Sequence, residues 1–187
     1  SFIGGYPFQI EFVVTSDRDT TAYEEEIAAL CTDKGIECFR HVNVNDAGFV
    51  ETLRKREIDL MILAWWPTII HKEALESVTV GWLNTHPSLL PYGRGKHPYY
   101  WSIVEGTPFG VSLHLIDEKI DEGTVIFQRE LPVAITDTGE SLYSKSVEAN
   151  IELFKESYPR IVSLDLQPAD RSDIDRPSSA GQHLESS

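Results

Sequence analysis

The sequence predicts an α/β fold built on a mainly parallel sheet, and three features of the chain indicate it. Short β-branched or apolar segments alternate with amphipathic segments of helical length through the first half of the chain. The segment 59–64 is almost wholly apolar, as is typical of a parallel strand buried on both faces. After Gly110 the pattern changes to two strand-like segments and one long helix. These features predict parallel strands joined by helices, followed by a hairpin and a C-terminal helix.

Four strands are predicted before Gly110, at residues 10–15, 36–39, 59–64 and 78–84. Each strand is short and rich in apolar or β-branched residues. Because ligands gather at the carboxyl ends of parallel strands, the sequence predicts a binding region around residues 64–68 and 84–88.

The helices between these strands are marked by capping residues. Thr21 and Glu24 form a capping box for the first helix, and Gly35 ends it. Asn45 or Asp46 caps the second helix. The first helix is expected to bury one apolar stripe, which consists of Tyr23, Ile27, Leu30 and Cys31.

The rest of the chain is predicted to form a hairpin, a helix and a tail. Segments 111–116 and 124–133 are strand-like, and the polar loop between them favours a hairpin. The helix begins near Gly139, and its apolar stripe consists of Tyr143, Val147, Ile151, Phe154 and Tyr158. Since the chain is polar from Gln167 onward, residues 1–166 are expected to form one domain and 167–187 a loosely held tail.

Composition and charge exclude several classes of protein. The 41% hydrophobic and 25% charged residues are typical of a globular domain. A formal charge of −14 disfavours nucleic acid as a partner. No apolar segment approaches the ~20 residues that span a bilayer, and a basic signal-peptide start is lacking, so a cytoplasmic protein without a membrane partner is expected. Cys31 and Cys38 have no zinc-ligand spacing, and no metal is predicted.

Asn84, His86 and Asp121 form the candidate site that carries chemistry. Asn84 and His86 lie two residues apart where a strand ends, so their side chains leave the same face. Asp121 follows in a loop from which it can fold back towards the imidazole. An amide that stabilises an oxyanion, beside an imidazole oriented by a carboxylate, suits acyl transfer to an amine. The same spacing also fits polar residues that cap elements or only pair with one another.

Ordered motifs around this site give the chain a family resemblance. They strongly resemble the formyltransferase family, which includes glycinamide ribonucleotide transformylase, methionyl-tRNA formyltransferase and the sugar N-formyltransferases. The resemblance is clearest over residues 59–133 and extends over 10–158. The matching residues are Asn84-Thr85-His86-Pro87-Ser88-Leu89-Leu90-Pro91-Tyr92-Gly93-Arg94-Gly95, Pro98, Trp101, Gly106, Gly110-Val111-Ser112-Leu113-His114, Asp117, Ile120-Asp121 and Gly123.

The resemblance implies a fold, a reaction and a set of residues. The fold is a doubly wound, mainly parallel Rossmann-like sheet of the formyltransferase type, and 1–166 is its catalytic domain. Asn84, His86 and Asp121 match the family's catalytic set, and the formyl donor is N10-formyltetrahydrofolate, without a metal. The first two residues stabilise the oxyanion, and the third orients the imidazole or a water. The residues implied in cofactor binding are Trp65, Trp66, Pro67, Thr68 and Asp117.

Among the family's branches, the segment 87–101 looks most like the sugar N-formyltransferases. Their substrates are nucleotide-linked amino sugars, often with thymidine diphosphate. Arg94 and Lys96 are then candidates to hold a diphosphate, and His114 is a candidate substrate contact. The alternatives are loop bracing or solvation for Arg94 and Lys96, hydrogen bonding alone for His114, and packing at a strand end for the two tryptophans. Homodimerisation is a family-level expectation.

One departure from the family pattern concerns the start of the chain. Family members begin with a strand and helix that precede the strand at 10–15, and nothing in this sequence matches them. Since that first strand is central in the family's sheet, its lack is expected either to separate the strand at 10–15 from the strand at 59–64 or to force the strands to pair differently. The functional alternatives are a folate or nucleotide-sugar binding module without turnover, a formyltetrahydrofolate hydrolase, or another amine formyltransferase.

Overall fold

The computed structural model describes residues 10–17, 23–119 and 121–169. Thr21 of the predicted capping box and most of the predicted tail lie outside the described residues. The elements in chain order are β1 (Phe12–Ser16), α1 (Tyr23–Lys34), β2 (Glu37–Val42), α2 (Ala47–Lys55), β3 (Leu60–Leu63), α3 (Lys72–Leu75), β4 (Gly81–His86), α4 (Pro98–Glu105), β5 (Phe109–Leu115), β6 (Thr124–Leu131) and α5 (Gly139–Val162).

The described strands form two sheets. β1 and β2 pair in parallel, from Phe12 opposite Glu37 onward, and the second sheet has the order β3-β4-β5-β6. The alternation of strands and helices confirms the predicted α/β, Rossmann-like fold. β1 and β3 lie in different sheets, in agreement with the expected separation of these two strands. The lack of a first strand and helix stays a prediction.

The chain divides into two compact units. The first unit comprises Ser1–Leu83 and Pro159–Leu164, and the second comprises Asn84–Tyr158 and Asp165–Ser187. The prediction of one domain over 1–166 with a polar tail stays a prediction.

In the first unit, an aromatic cluster and a capped helix build the core. Phe12, Phe39 and Phe49 meet edge to face, with ring centroids 5.3 to 6.1 Å apart. Asp46 caps α2, because its Oδ1 accepts the Gly48 N–H at 2.8 Å. This cap lets α2 bury its apolar face against the core, and the residues of that face are Phe49, Val50 and Leu53.

Helix α1 forms as predicted, and within the predicted stripe Cys31 is buried and Ile27 is partly buried, but the prediction is wrong for Tyr23 and Leu30. Tyr23 and Leu30 are 65% and 58% exposed, whereas Glu24 is buried. Glu24 tolerates burial because its Oε1 accepts a hydrogen bond from Arg40 Nε at 2.8 Å, and this partner lowers the pKa of the carboxyl. Charge pairing between elements therefore decided which face of α1 is buried.

The expectation that residues 59–64 are buried on both faces is also wrong. Ile62 is 43% exposed, and only Leu63 of β3 is buried. Among the described strands β3 is an end strand of its sheet, and an end strand is covered by a neighbouring strand on one side only.

In the second unit, the predicted hairpin is confirmed. β5 and β6 pair antiparallel, from Phe109 opposite Leu131 to Leu115 opposite Thr124. The register shifts between Leu113 and His114, where β6 holds one extra residue. Six of the seven residues of β5 are buried.

The predicted apolar stripe of α5 is wrong in phase. Tyr143 and Ile151 are 43% and 45% exposed. The buried face is displaced from the predicted stripe by about one residue, or roughly 100° around the helix. It includes serines and an asparagine, which a pattern of apolar residues does not mark. The residues of the buried face are Leu142, Ser146, Ala149, Asn150, Leu153, Ser157, Tyr158 and Ile161, of which Tyr158 belongs to the predicted stripe.

Helix α4 was not predicted. Pro98 begins it and Gly106, at φ +64°, ends it. Within the described ranges, no helix has the length and apolarity needed to cross a membrane.

Candidate functional site

Asn84 and His86 are brought to one place by the end of β4. Both lie within the strand, so the two-residue spacing directs them to the same face. Asn84 is half-buried and His86 is 6% exposed. Both side chains belong to the second unit, and so do all the groups that contact them below.

The loop after β4 is held to the hairpin by a buried hydroxyl. Ser112 Oγ donates to the Ser88 carbonyl at 2.7 Å and accepts the Leu90 N–H at 3.1 Å. Gln128 Nε2 donates to the Leu90 carbonyl at 2.5 Å and to Ser112 Oγ at 3.0 Å. These bonds fix the path of the loop that continues to Gly93 and Gly95.

Two glycines of this loop contact the candidate catalytic side chains through their backbone. Gly93 has φ +61°, and a Cβ there would lie 2.9 Å from Pro98 Cβ, so glycine is required both by conformation and by close approach. Its carbonyl lies 3.1 Å from His86 Nε2. Gly95 N–H donates to Asp121 Oδ2 at 2.8 Å.

Asp121 lies between two imidazoles. It has φ +53°, and its Oδ1 is 3.7 Å from both His86 Nδ1 and His114 Nε2. Since the Gly93 carbonyl can only accept, its bond places a hydrogen on His86 Nε2. The second proton of the His86 ring is therefore gained or lost at Nδ1, facing Asp121.

His114 contacts Asn84 in the interior of the second unit. Its side chain has no exposed surface, and its Nε2 lies 3.1 Å from Asn84 Nδ2. Burial, assisted by the nearby His86, lowers the pKa of His114 to about 4, although Asp121 and Asp117 act in the opposite sense. The ring is thus neutral near pH 7. The substrate contact expected of His114 stays a prediction.

The cluster therefore combines one amide, two imidazoles and one carboxylate at the end of a strand. It can donate a hydrogen bond to developing negative charge and move a proton at His86. Among the described residues, no group of three or more histidines, cysteines or carboxylates is arranged to hold a metal ion.

The remaining predicted residues of the second unit lie on its surface. Arg94 forms an exposed ion pair with Glu122 at 3.3 Å, and Lys96 is exposed. Asp117 is exposed and accepts the Lys119 N–H at 2.8 Å, so it stabilises the turn of its own loop. Their roles in binding stay predictions.

The loop of residues 65–68, which the family resemblance implies in cofactor binding, lies in the first unit, after β3. Trp65 is 43% exposed and has φ +51°. Trp66 Nε1 donates to Thr68 Oγ1 at 2.9 Å, and Pro67 between them is exposed. The loop thus presents one exposed indole, while the second indole is tied to the loop itself.

The sequence did not identify the backbone contacts of Gly93 and Gly95, nor the bracing role of Ser112. Two glycines that lie two residues apart, in the loop after the strand that carries His86, are the signal in the sequence for a close approach of the backbone to the site.

The fold and this cluster define an α/β protein with an amide, imidazole and carboxylate site. The chain belongs to the formyl transferase family, because the family's sequence model, described as "Formyl transferase", matches residues 9–157. A methionyl-tRNA formyltransferase from Myxococcus xanthus (strain DK1622) is 32% identical over 152 residues. The match covers 81% of this chain and 49% of that relative, so the chain spans about half the relative's length.

Solved structures support the same fold. A phosphoribosylglycinamide formyltransferase from Anaplasma phagocytophilum has a TM-score of 0.71 and 26% identity, with 87% of this chain and 79% of that chain covered. The formyltransferase PseJ from Anoxybacillus kamchatkensis, solved with UDP-4,6-dideoxy-4-formamido-L-AltNAc and tetrahydrofolate, has a TM-score of 0.63 and 24% identity. That match covers 84% of this chain and 79% of the other, and it shows the fold alone.

Proposed function

We propose that the protein transfers a formyl group from N10-formyltetrahydrofolate to the amino group of a nucleotide-linked amino sugar. The observation that carries the formyl transfer is the cluster in the second unit, where His86 lies beside Asp121 and Asn84 presents its amide. Family membership supports the same reaction. The proposal places the protein in the cytoplasm, with a homodimer as the expected assembly.

The residues of the cluster fit the chemistry of acyl transfer. When bound, the donor supplies a formyl carbonyl whose bond to folate nitrogen breaks as a bond to the amine forms. Asn84 donates an amide hydrogen to the oxygen on which negative charge grows. His86 stabilises the same charge, and its Nδ1 gains or loses a proton beside Asp121. In the first unit, the exposed Trp65 offers a face for stacking of a pterin, with Trp66, Pro67 and Thr68 beside it in sequence.

The sugar acceptor is supported by the surface residues of the loop after β4. Arg94 and Lys96 are exposed cations in a chain of net charge −14, and they suit a diphosphate. An exposed ion pair contributes little free energy, so a diphosphate can replace Glu122 as the partner of Arg94. The bound nucleotide sugar of the Anoxybacillus relative is consistent with this acceptor class.

Mass spectrometry of nucleotide-linked amino sugars incubated with protein and formyl donor tests the reaction and the acceptor together. The proposal expects a product heavier by one formyl group. Binding without product would indicate a binding module, and free formate without an amine would indicate a hydrolase. Formylation of methionyl-tRNA or glycinamide ribonucleotide instead would retain the reaction and overturn the acceptor.

His86→Ala and Asp121→Ala are each expected to lower turnover by about two orders of magnitude while the protein stays folded. His86→Ala removes the imidazole that stabilises the charge, and Asp121→Ala removes the carboxylate beside His86 Nδ1. His71→Ala and Asp33→Ala, at exposed positions of the first unit, are the matched controls. Unchanged turnover in either cluster variant would remove these residues from the mechanism.

A further inference from the structure

We propose that His114 is a positioning residue for formyl transfer: its Nε2 accepts one hydrogen of the Asn84 amide and thereby directs the second hydrogen towards the developing oxyanion. This inference rests on the proposed function. It assigns His114 a role behind Asn84, in place of the substrate contact expected from the sequence.

In the structure, the nitrogen of the Asn84 amide faces the His114 ring. Asn84 Nδ2 lies 3.1 Å from His114 Nε2, and an amide nitrogen can only donate. With the amide in this orientation, Nε2 is the bare nitrogen and the hydrogen of the neutral ring is on Nδ1, a buried atom that has no hydrogen-bond partner among the described residues. Turning the amide by half a rotation would set its oxygen against Nε2, and that arrangement requires the other tautomer, with the ring hydrogen on Nε2. The tautomer with hydrogen on Nδ1 therefore keeps the amide nitrogen beside His114 and its second hydrogen available to the cluster.

The imidazole is a rigid support because of its place in the fold. His114 lies on β5, six of whose seven residues are buried, and it is completely buried itself. The β6 bulge falls beside His114, where Leu113 pairs with Phe127 but His114 pairs with Val125. Bulges re-aim side chains beside functional sites, so the register shift fits a residue whose direction matters.

Neutrality of His114 is needed for this role and is supported by its surroundings. Burial, assisted by the neighbouring His86, lowers the pKa of the ring to about 4, although Asp121 and Asp117 act in the opposite sense. A proton on Nε2 would remove the acceptor and release the Asn84 amide. The site therefore keeps the acceptor at neutral pH.

Because His114 Nε2 carries no hydrogen, Asp121 is available as a partner for His86 alone among the two imidazoles. Asp121 Oδ1 is 3.7 Å from both His86 Nδ1 and His114 Nε2. Since His114 has no hydrogen on that nitrogen, it gives none to the carboxylate, whereas His86 can carry its second proton on Nδ1, which faces the same oxygen. The two imidazoles thus divide the site, with His86 assigned to proton movement and His114 assigned to the orientation of Asn84.

Kinetics of two variants test the proposal. His114→Phe fills the space but has no acceptor, and His114→Gln offers an amide oxygen at the reach of Nε2. We expect His114→Phe to lower kcat by about tenfold to a hundredfold with little change in the KM for the donor, because an oxyanion donor loses its orientation. His114→Gln should retain kcat within a few fold. Equal losses in both variants, or a change confined to KM, would overturn the positioning role.

A double-mutant cycle separates positioning from general damage. In an Asn84→Ala background, His114→Phe should cause no further loss of kcat, since the amide that it orients is gone. The same fold loss in both backgrounds would show that His114 acts by another route. If His114→Phe does not fold, His114→Asn, whose amide reaches only the Nδ1 position, replaces it in the comparison with His114→Gln.

Nitrogen NMR of the histidine-labelled wild-type chain tests the hydrogen bond without any turnover. The His114 ring, assigned by its loss in His114→Gln, should be neutral at pH 7, with hydrogen on Nδ1 and none on Nε2. Hydrogen on Nε2, or a charged ring, would overturn the inference even in an active enzyme. Absence of formyl transfer to every amine tested would instead refute the proposed function, whatever tautomer is observed.

Discussion

Lowering the pH from 7 to 4.5 is expected to destabilise the folded protein through His114. Burial lowers the pKa of this ring from 6.5 to about 4. The unfolded state therefore binds the proton first, so the stabilisation is fully present above 6.5 and is lost as the pH falls towards 4. Each pKa unit corresponds to about 1.4 kcal/mol, which makes the whole effect about 3 kcal/mol and the loss by pH 4.5 about 2.5 kcal/mol.

Urea unfolding at a series of pH values between 7 and 4.5 measures this loss. Wild type and His114→Gln are compared at each pH, because glutamine has no titrating group and the difference between the two curves isolates the ring. His71→Gln, at an exposed position, controls for the loss of one imidazole. The free energy of unfolding of wild type should fall by about 2.5 kcal/mol more than that of His114→Gln. Parallel curves would refute the claim that the buried ring stays neutral.

Three further predictions concern two supports of the site and the ion pair between Lys145 and Asp137 at the start of α5. Gly93→Ala should reduce both stability and turnover, because its Cβ would clash with the loop. Gly95→Ala meets open space and should show only the smaller cost of its positive φ, so equal losses in the two variants would contradict the steric argument. Ser112→Ala should lower the free energy of unfolding by about 1–3 kcal/mol in urea titrations, because buried backbone groups lose their partner, and a neutral result would refute the bracing role. Lys145→Ala should lower the thermal midpoint at pH 7, because Lys145 holds the pKa of Asp137 down at about 2. The difference in thermal midpoint from wild type should shrink as the pH falls from 5 to 2.5, and a constant difference would contradict the pairing.

Local patterns predicted the elements whose signals lie within a few residues. The strands around Val13 and Met61 and the hairpin after Gly110 were recognised from β-branched and apolar runs. The helix after Asp46 was recognised from its cap. Helix α4 was missed, although Pro98 and Gly106 mark its ends, because it buries little and its large apolar side chains show no single stripe.

Burial was predicted less well than secondary structure. Asn150 lies on the buried face of α5 and Tyr143 does not, although hydrophobicity alone favours the reverse. Glu24 is buried because Arg40 pairs with it from another element. Such partners are distant in sequence, so a pattern within one helix cannot reveal which face they cover.

The sequence by itself determined the family, the strand–helix order and the spacing that sets Asn84 and His86 on one face. These follow from the two-residue period of a strand and from motifs contained in one segment. Only the tertiary structure decided that Asp121 lies between two imidazoles and that His114 contacts the Asn84 amide. Long-range packing of β5 and the glycine loop makes these contacts, and distances between segments are set by packing rather than by residue type.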